Sequence, residues 1–356
     1  MDLYYLLKIA CYPGKKGMAI SVYEGGEELM KTKYMLWILV VIFTAVSCSI
    51  QPANDGPTGE LTHIRLPMGY IPNVQYAPFY AAVEKGFFEE YGIELEFDYS
   101  YETDGVALVG ANELQFSLVS GEQVPIARAQ GLPIVYVMAW YEKYPIAVLS
   151  KTEQNVKTPQ DLAGKRVALP GPFGANYVGL RALLGEVGLQ ESDIIMESVG
   201  FNQVEVLATD TTEVIVGYSA NEPIQLKAQG YDLDLILVSD YLDLVSNGII
   251  TNEKTLAEDP ELVERFVSAA LKGIQFAVEN PEEAFRFCFK YIEGLEDADQ
   301  DVQFEVLQAS MELYQTDPYG YSHPEAWENM QGVLLQMGLM KKEIDLEEAY
   351  TNEFSQ

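Results

Sequence analysis

The chain of 356 residues is long enough for two domains of ordinary size, and 48% of its residues are hydrophobic, as in a globular protein with a sizeable core. Its 54 acidic and 22 basic residues give a net charge of −32 at neutral pH, which repels nucleic acid and anionic lipid headgroups. Of three cysteines only Cys288 lies beyond residue 48, so no intramolecular disulfide framework is available, and Cys288 reads as a small buried apolar residue.

Residues 1–29 carry no targeting pattern and read as an extension upstream of a natural start at Met30. Lys31 and Lys33 then precede an apolar run from Tyr34 to Ser47, the length of a signal-peptide core and short of the roughly 20 residues a membrane-spanning helix needs. Residues 30–47 are therefore expected to be an export signal. The run ends in "AVSC", which resembles the lipobox of bacterial lipoproteins and makes Cys48 the expected site of lipidation, although Ala45 stands where Leu is more usual. Residues 48–60 are polar and rich in Pro, Gly and Asn, which suits a flexible tether; the folded body is expected from about Leu61.

"THIRLPMGY" predicts a first strand with Ile64, Leu66 and Met68 on one face, followed by the loop "IPNVQYAP". A small-residue helix is expected from Pro78 to Tyr91, ended by a left-handed Gly92, and "IELEFDYS" predicts the second strand. Helices near 104–111 and 121–130 alternate with the strands "LQFSLVS" and "PIVYVMAWY", an order that predicts parallel sheets with helices on both faces. From Thr158 a second set begins: a short helix and strand in "TPQDLAGKRVALPG", the helix "VGLRALLGEVGL", then the strands "IIMESVGF", "EVIVGYS" and "LDLILVSDY". Beyond Ile249 the chain is mainly helical. Asp259-Pro260-Glu261 and Asn280-Pro281-Glu282 each place a capping side chain before a proline at the first helical position. After the first of these, Leu262, Val263, Phe266, Val267, Ala270, Leu271 and Ile274 form a core-facing stripe at helical spacing.

Two α/β lobes followed by a helical tail place a ligand in the crevice at the carboxyl ends of the strands. The loops expected there supply amides, hydroxyls and rings: Tyr70, Asn73, Gln75 and Tyr76 after the first strand; Ser120, Glu122 and Gln123; Trp140 and Tyr141; Asn176 and Tyr177; Asn202 and Gln203; Tyr218, Asn221 and Glu222; and Asn247. Basic residues are nearly absent from these loops. Lys143 is the exception, and Glu142 lies beside it.

"YIPNVQYAPFYAAVEKGFFEEYGIELEF", "TPQDLAGKRVALPGPFG", "GFNQVEVL" and "NEPIQLKAQGYD" together resemble the solute-binding proteins of ABC importers in the thiamine-precursor, sulfonate and riboflavin group, over residues 61–340. The resemblance implies a type II periplasmic-binding-protein fold: lobe 1 from residues 61–146 and 248–356, lobe 2 from 147–247, crossings near Tyr144–Leu149 and Leu244–Ile250, and a tail returning over lobe 1. It further implies a lipid-anchored, extracytoplasmic monomer that closes on a small molecule and hands it to permease and ATPase subunits. No cofactor or metal is expected. A sulfonate should meet Arg, Lys or free helix-terminal amides. A flat, largely uncharged heteroaromatic suits rings and amides better. "SGEQVPIARAQGLPIVYVMAWY", "GFNQVE" and "SDYLDLVSNGIITNE" resemble most the riboflavin-binding branch, with binders of the formylaminopyrimidine or hydroxymethylpyrimidine precursor of thiamine as the alternative.

An enzyme is the rival class, because some relatives make the thiamine pyrimidine by consuming an active-site histidine. This chain has two histidines, His63 at the start of a strand and His323 before Pro324, and neither has metal-ligand spacing or a catalytic partner set. Both read as surface residues, so no catalytic residue is expected.

Overall fold

The computed structural model describes residues 6–10, 19–23, 60–314 and 318–355. The expected export signal, Cys48 and almost all of the tether lie outside these residues. Two strands, β1 (Leu6–Ala10) and β2 (Ala19–Tyr23), form an antiparallel pair of their own.

In the unit from Gly56 to Gln356 the first strand is β3 (Thr62–Gly69), where Ile64, Leu66 and Met68 are all buried as the alternation requires. The expected helix 78–91 is two: α1 (Ala77–Glu84) and α2 (Phe87–Glu90). The break falls at Gly86, which takes a left-handed φ of 74° that a residue with a Cβ rarely adopts. Then come β4 (Ile93–Tyr101), α3 (Glu102–Gly110), β5 (Ser117–Val119), α4 (Gln123–Ala129) and β6 (Ile134–Ala139).

The second half-sheet begins with β7 (Ile146–Lys151), followed by β8 (Arg166–Leu169), α5 (Gly174–Glu186), β9 (Ile195–Ser198), α6 (Gln203–Ala208), β10 (Val214–Tyr218), α7 (Glu222–Ala228) and β11 (Leu233–Leu237). These strands are ordered β11-β7-β10-β8-β9. The chain then returns to the first lobe as β12 (Gly248–Asn252), which lies between β5 and β6.

The sheets are mixed, not parallel as the alternation of elements suggested. β3 runs parallel to β4, and β8 parallel to both β9 and β10, but β7 is antiparallel to β10 and β11, and β12 is antiparallel to β5 and β6. The reversed strands are the two that the chain enters directly from the other lobe. They arrive without a crossover helix, and a helical crossover is what makes neighbouring strands parallel.

The tail supplies α8 (Glu253–Glu258), α9 (Pro260–Glu279), α10 (Pro281–Cys288), α11 (Gln300–Tyr314) and α12 (Pro324–Gln336). The Asp259 side chain accepts from the Leu262 amide at 3.0 Å, so this cap forms as its sequence predicts. Asn280 does not cap α10. Its amide instead donates to the Phe276 carbonyl at 3.1 Å and closes the end of α9. The stripe on α9 packs against α1 and α2, with Phe266 stacked on Phe116 at 4.0 Å, and Cys288 is fully buried in the same core. α12 lies elsewhere: Trp327 stacks on Tyr350 and meets Tyr136 edge-on, while Asn329 donates to the Asp243 carbonyl on the returning crossing.

Candidate ligand cleft

The carboxyl ends of β3, β5, β6, β8 and β10 converge on a cavity of about 490 Å³, lined from the first lobe by Tyr70, Gln75, Tyr76, Ser120, Trp140 and Tyr141, and from the second by Asn176, Gln203, Tyr218, Asn221 and Glu222. Asn247, on the returning crossing, also lines it. Placement at strand ends follows from the α/β architecture, in which the loops leaving one end of a sheet face the same crevice.

The first-lobe wall is a ladder of rings. Trp140 stacks on Tyr141 at 4.1 Å and on Tyr76 at 5.3 Å, and Tyr141 stacks on Tyr314 at 5.5 Å and 7°. Hydrogen bonds fix its orientation: Tyr76 donates to the Met68 carbonyl at 2.8 Å, Gln75 donates to the Tyr141 hydroxyl at 3.0 Å, and Tyr314 donates to the Gln75 carbonyl at 2.7 Å. The backbone amides of Trp140 and Tyr141 both donate to the carbonyl of Asn247, at 2.9 and 3.1 Å, and the Tyr136 hydroxyl reaches the same carbonyl at 3.1 Å. The Asn247 side chain donates at 3.1 Å to the Tyr218 hydroxyl of the second lobe. One residue of the crossing thus ties the ring wall to the opposite lobe.

Between the lobes the wall is also apolar. Tyr70 meets Phe201 edge-on at 4.7 Å, one ring from each lobe, while Tyr101 and Phe173 line the cavity and remain largely exposed.

Three carboxyls set the electrostatics. Glu222, at the first position of α7, accepts from the Tyr218 amide at 2.7 Å and from the Asn221 side chain at 3.3 Å; burial pushes its pKa up to about 7. Glu102 accepts from both the amide and the hydroxyl of Ser120 at 2.9 Å and from Gln123 at 3.1 Å. Glu122 is fully buried, and its Oε2 has no partner among the described residues. Burial raises both carboxyls; the neighbouring Glu102 charge pushes Glu122 further, so the proton of this pair resides on Glu122. Burial likewise raises the Tyr70 and Tyr218 hydroxyls, so both are protonated donors at neutral pH. Two further polar atoms on lining residues, Trp140 Nε1 and Asn176 Oδ1, have no partner among the described residues. No Lys, Arg or His is among the described residues lining the cavity.

Five candidates from the sequence stand elsewhere. Asn73 caps the turn Val74–Tyr76 by accepting from the Gln75 amide, and Asn202 donates to the Val199 carbonyl; both border an outer groove instead. Glu122 and Gln123 lie behind the surface, with Gln123 bound to Glu102. Tyr177 points away, donating to Glu191 at 2.8 Å and accepting from Arg181 at 2.7 Å. It sits one turn into α5 on the same stripe as Arg181, and the spacing "YVGLR" carries that signal. Glu102, Tyr101, Phe173 and Phe201 were not singled out in the sequence. The two phenylalanines lie in the loops that lead to Asn176 and Asn202, and a side chain without a polar atom carries no binding signal in the sequence. Lys143 is exposed and lines nothing here, His63 pairs with Glu96 at 3.1 Å, and His323 lies 3.9 Å from Glu142, both histidines being half-exposed.

Comparison with known proteins agrees with this geometry. The family model described as NMT1/THI5 like matches residues 73–284. The riboflavin-binding protein RibY of Chloroflexus aurantiacus is 34% identical over 347 residues, covering 92% of this chain and 98% of that one. The formylaminopyrimidine-binding protein of Halalkalibacterium halodurans is 26% identical, covering 91% and 99%. More distant relatives are named 4-amino-5-hydroxymethyl-2-methylpyrimidine phosphate synthases. Among solved structures, the alkanesulfonate-binding protein SsuA of Xanthomonas axonopodis pv. citri, bound to MOPS, superposes with a TM-score of 0.65 at 13% identity, covering 83% of this chain and 99% of that one. At that identity the match establishes the fold, a two-lobed α/β periplasmic-binding-protein fold.

Proposed function

The chain belongs to the NMT1/THI5-like family, and from that membership and the chemistry of the cleft we propose that it is the extracytoplasmic solute-binding component of an ABC importer, with riboflavin as its ligand. The observation that carries the choice is the cleft lining: a stacked ring wall, several amides and the two carboxyls of Glu102 and Glu222, with no cationic side chain among the described residues that line it. Stacking suits a planar ring system, and amides and protonated tyrosines suit its carbonyls, ring nitrogens and hydroxyls. A sulfonate would meet carboxylates where it needs positive charge. A volume of about 490 Å³ lies within the roughly 300–1,000 Å³ typical of small-molecule sites. A tricyclic ring with a polyhydroxyl arm uses more of it than a single pyrimidine.

Binding proceeds by lobe closure, because the ligand touches both walls only when they approach, and so favours the closed state. The closed protein, a monomer anchored by lipid on Cys48 after removal of the export signal, then meets the permease and ATPase subunits. Its acidic surface offers charge complementarity to basic permease sites. Catalysis is not part of this reading, since neither histidine borders the cleft and the Cys288 thiol is buried. An assay with iron and pyridoxal phosphate for pyrimidine formation tests that exclusion directly.

Titration of riboflavin against the purified protein should quench flavin fluorescence at micromolar protein. Quenching absent with riboflavin, together with a calorimetric signal for formylaminopyrimidine, would move the assignment to the second ligand, which the 26% identical relative favours. X-ray scattering should show the radius of gyration falling on ligand addition.

A further inference from the structure

Glu102 is the cleft residue with the most elaborate support. It opens α3, and both of its oxygens are held: Oε2 by the Ser120 amide and hydroxyl at 2.9 Å, Oε1 by Gln123 at 3.1 Å. Burial raises the Glu102 carboxyl while its three donors work against that rise, and the orphaned Glu122 behind it is pushed up further still, so Glu102 is the acceptor of the pair. A carboxylate offers about four acceptor positions, so one on Oε1 remains unused. That oxygen lies at the seam between the lobes: a Cβ built on Gly174, the first residue of α5, would stand 3.2 Å from it.

We infer that Glu102 is a specificity-determining residue, which accepts a hydrogen bond from an N–H or O–H donor on an uncharged ligand and thereby selects ligands that present such a donor at the lobe seam. The inference rests on the reading of the protein as a flavin binder and deepens it. Riboflavin offers two kinds of donor, the imide N–H of the ring and the hydroxyls of its side chain. A hydrogen bond to a pre-fixed carboxyl acceptor is worth roughly ten- to a hundredfold in affinity when that carboxyl is ionised. A role confined to holding Ser120 and Gln123 in place would leave no such ligand-dependent signature.

The test is a cycle between Glu102→Gln and two ligand analogues. N3-methylriboflavin lacks the imide donor, and lumiflavin lacks the side-chain hydroxyls. For the unaltered protein, riboflavin should bind ten- to a hundredfold tighter than one of the two, and in Glu102→Gln that gap should shrink to threefold or less. Glu102→Asp, which keeps the charge but shortens the reach by one methylene, should close the same gap and guards against a variant that fails to fold. The inference is overturned if the unaltered protein shows no gap for either analogue, or if the gap survives in both variants. Absence of riboflavin binding by the unaltered protein would instead overturn the flavin reading itself.

Discussion

Replacing Glu222 by Gln should remove a pH dependence that the fold imposes on itself. The carboxyl is buried at the start of α7, and burial lifts its pKa from 4.5 to about 7. Between those values the folded protein keeps a proton that the unfolded chain has already released, so unfolding sheds it and stability falls as pH rises. The loss is absent below about pH 4.5, grows through the interval, and is complete above about pH 7. At about 1.4 kcal/mol per unit it amounts to roughly 3 kcal/mol. Glu102 and Glu122 are raised by the same cause and push in the same direction. Gln cannot ionise, and its carbonyl can still accept from the Tyr218 amide. Equilibrium urea unfolding without ligand, at pH 5, 6, 7 and 8, should therefore show the variant gaining on the unaltered protein from pH 5 to pH 7 and levelling off by pH 8, by roughly 2–3 kcal/mol across the range. Parallel curves for the two proteins would mean that Glu222 is ionised in the fold throughout, and the argument from burial would be wrong.

Trp140→Ala removes a buried ring stacked on both sides, and should destabilise by about 3–5 kcal/mol in urea unfolding while abolishing flavin quenching. Gly248→Ala would set a Cβ 2.1 Å from the Tyr136 hydroxyl and 2.4 Å from the Met138 carbonyl, so it should destabilise by about 1–3 kcal/mol or more through overpacking at the point where the chain re-enters the first lobe. The Cys288 thiol is fully buried and pushed up to about 12, so it should resist a disulfide reagent in the native protein and react once urea unfolds it, as peptide mapping of the labelled cysteines would show.

Much of the fold was legible because its signals are local. The alternation of Ile64, Leu66 and Met68, the stripe on α9 and the Asp259 cap each depend on side chains within a few residues of one another. Strand direction in β7 and β12 was not legible. It depends on which lobe the chain has just left, and the residues of a strand look the same in either direction. Asn280 fails for a similar reason. Its side chain can serve the helix before it or the helix after it, and the Phe276 carbonyl wins a competition that spacing cannot reveal.

The cleft divides in the same way. Rings and amides in loops at strand ends were visible, and Trp140, Tyr141, Tyr76 and Gln75 do meet. Glu102 was invisible because an acid in the first turn of a helix is ordinary, favoured by the helix dipole wherever it occurs. Only the fold brings Ser120 and Gln123 onto it. Glu122 was misplaced by the converse reasoning: a charged residue in a predicted cleft loop reads as a lining group, yet it lies fully buried behind Glu102.

The two walls differ in how firmly they are built, and that difference bears on how a ligand would be taken up. On the first-lobe side the rings are stacked on one another and pinned through Tyr76, Gln75, Tyr314 and the Asn247 carbonyl, so little conformational freedom remains there to be lost on binding. On the second-lobe side Phe173 and Phe201 are substantially exposed, and among the described residues the links to the ring wall are the Asn247 to Tyr218 side-chain bond and a tilted contact of the Tyr218 and Tyr141 rings at 6.5 Å. A planar ligand would therefore settle first on the pre-formed ring wall, and burial of those exposed rings during closure would supply the rest of the affinity. At about 25 cal/mol per Å² of apolar surface, even a partial seal over two phenylalanines is worth a few kcal/mol, which under the proposed function would bias the lobes toward the closed state.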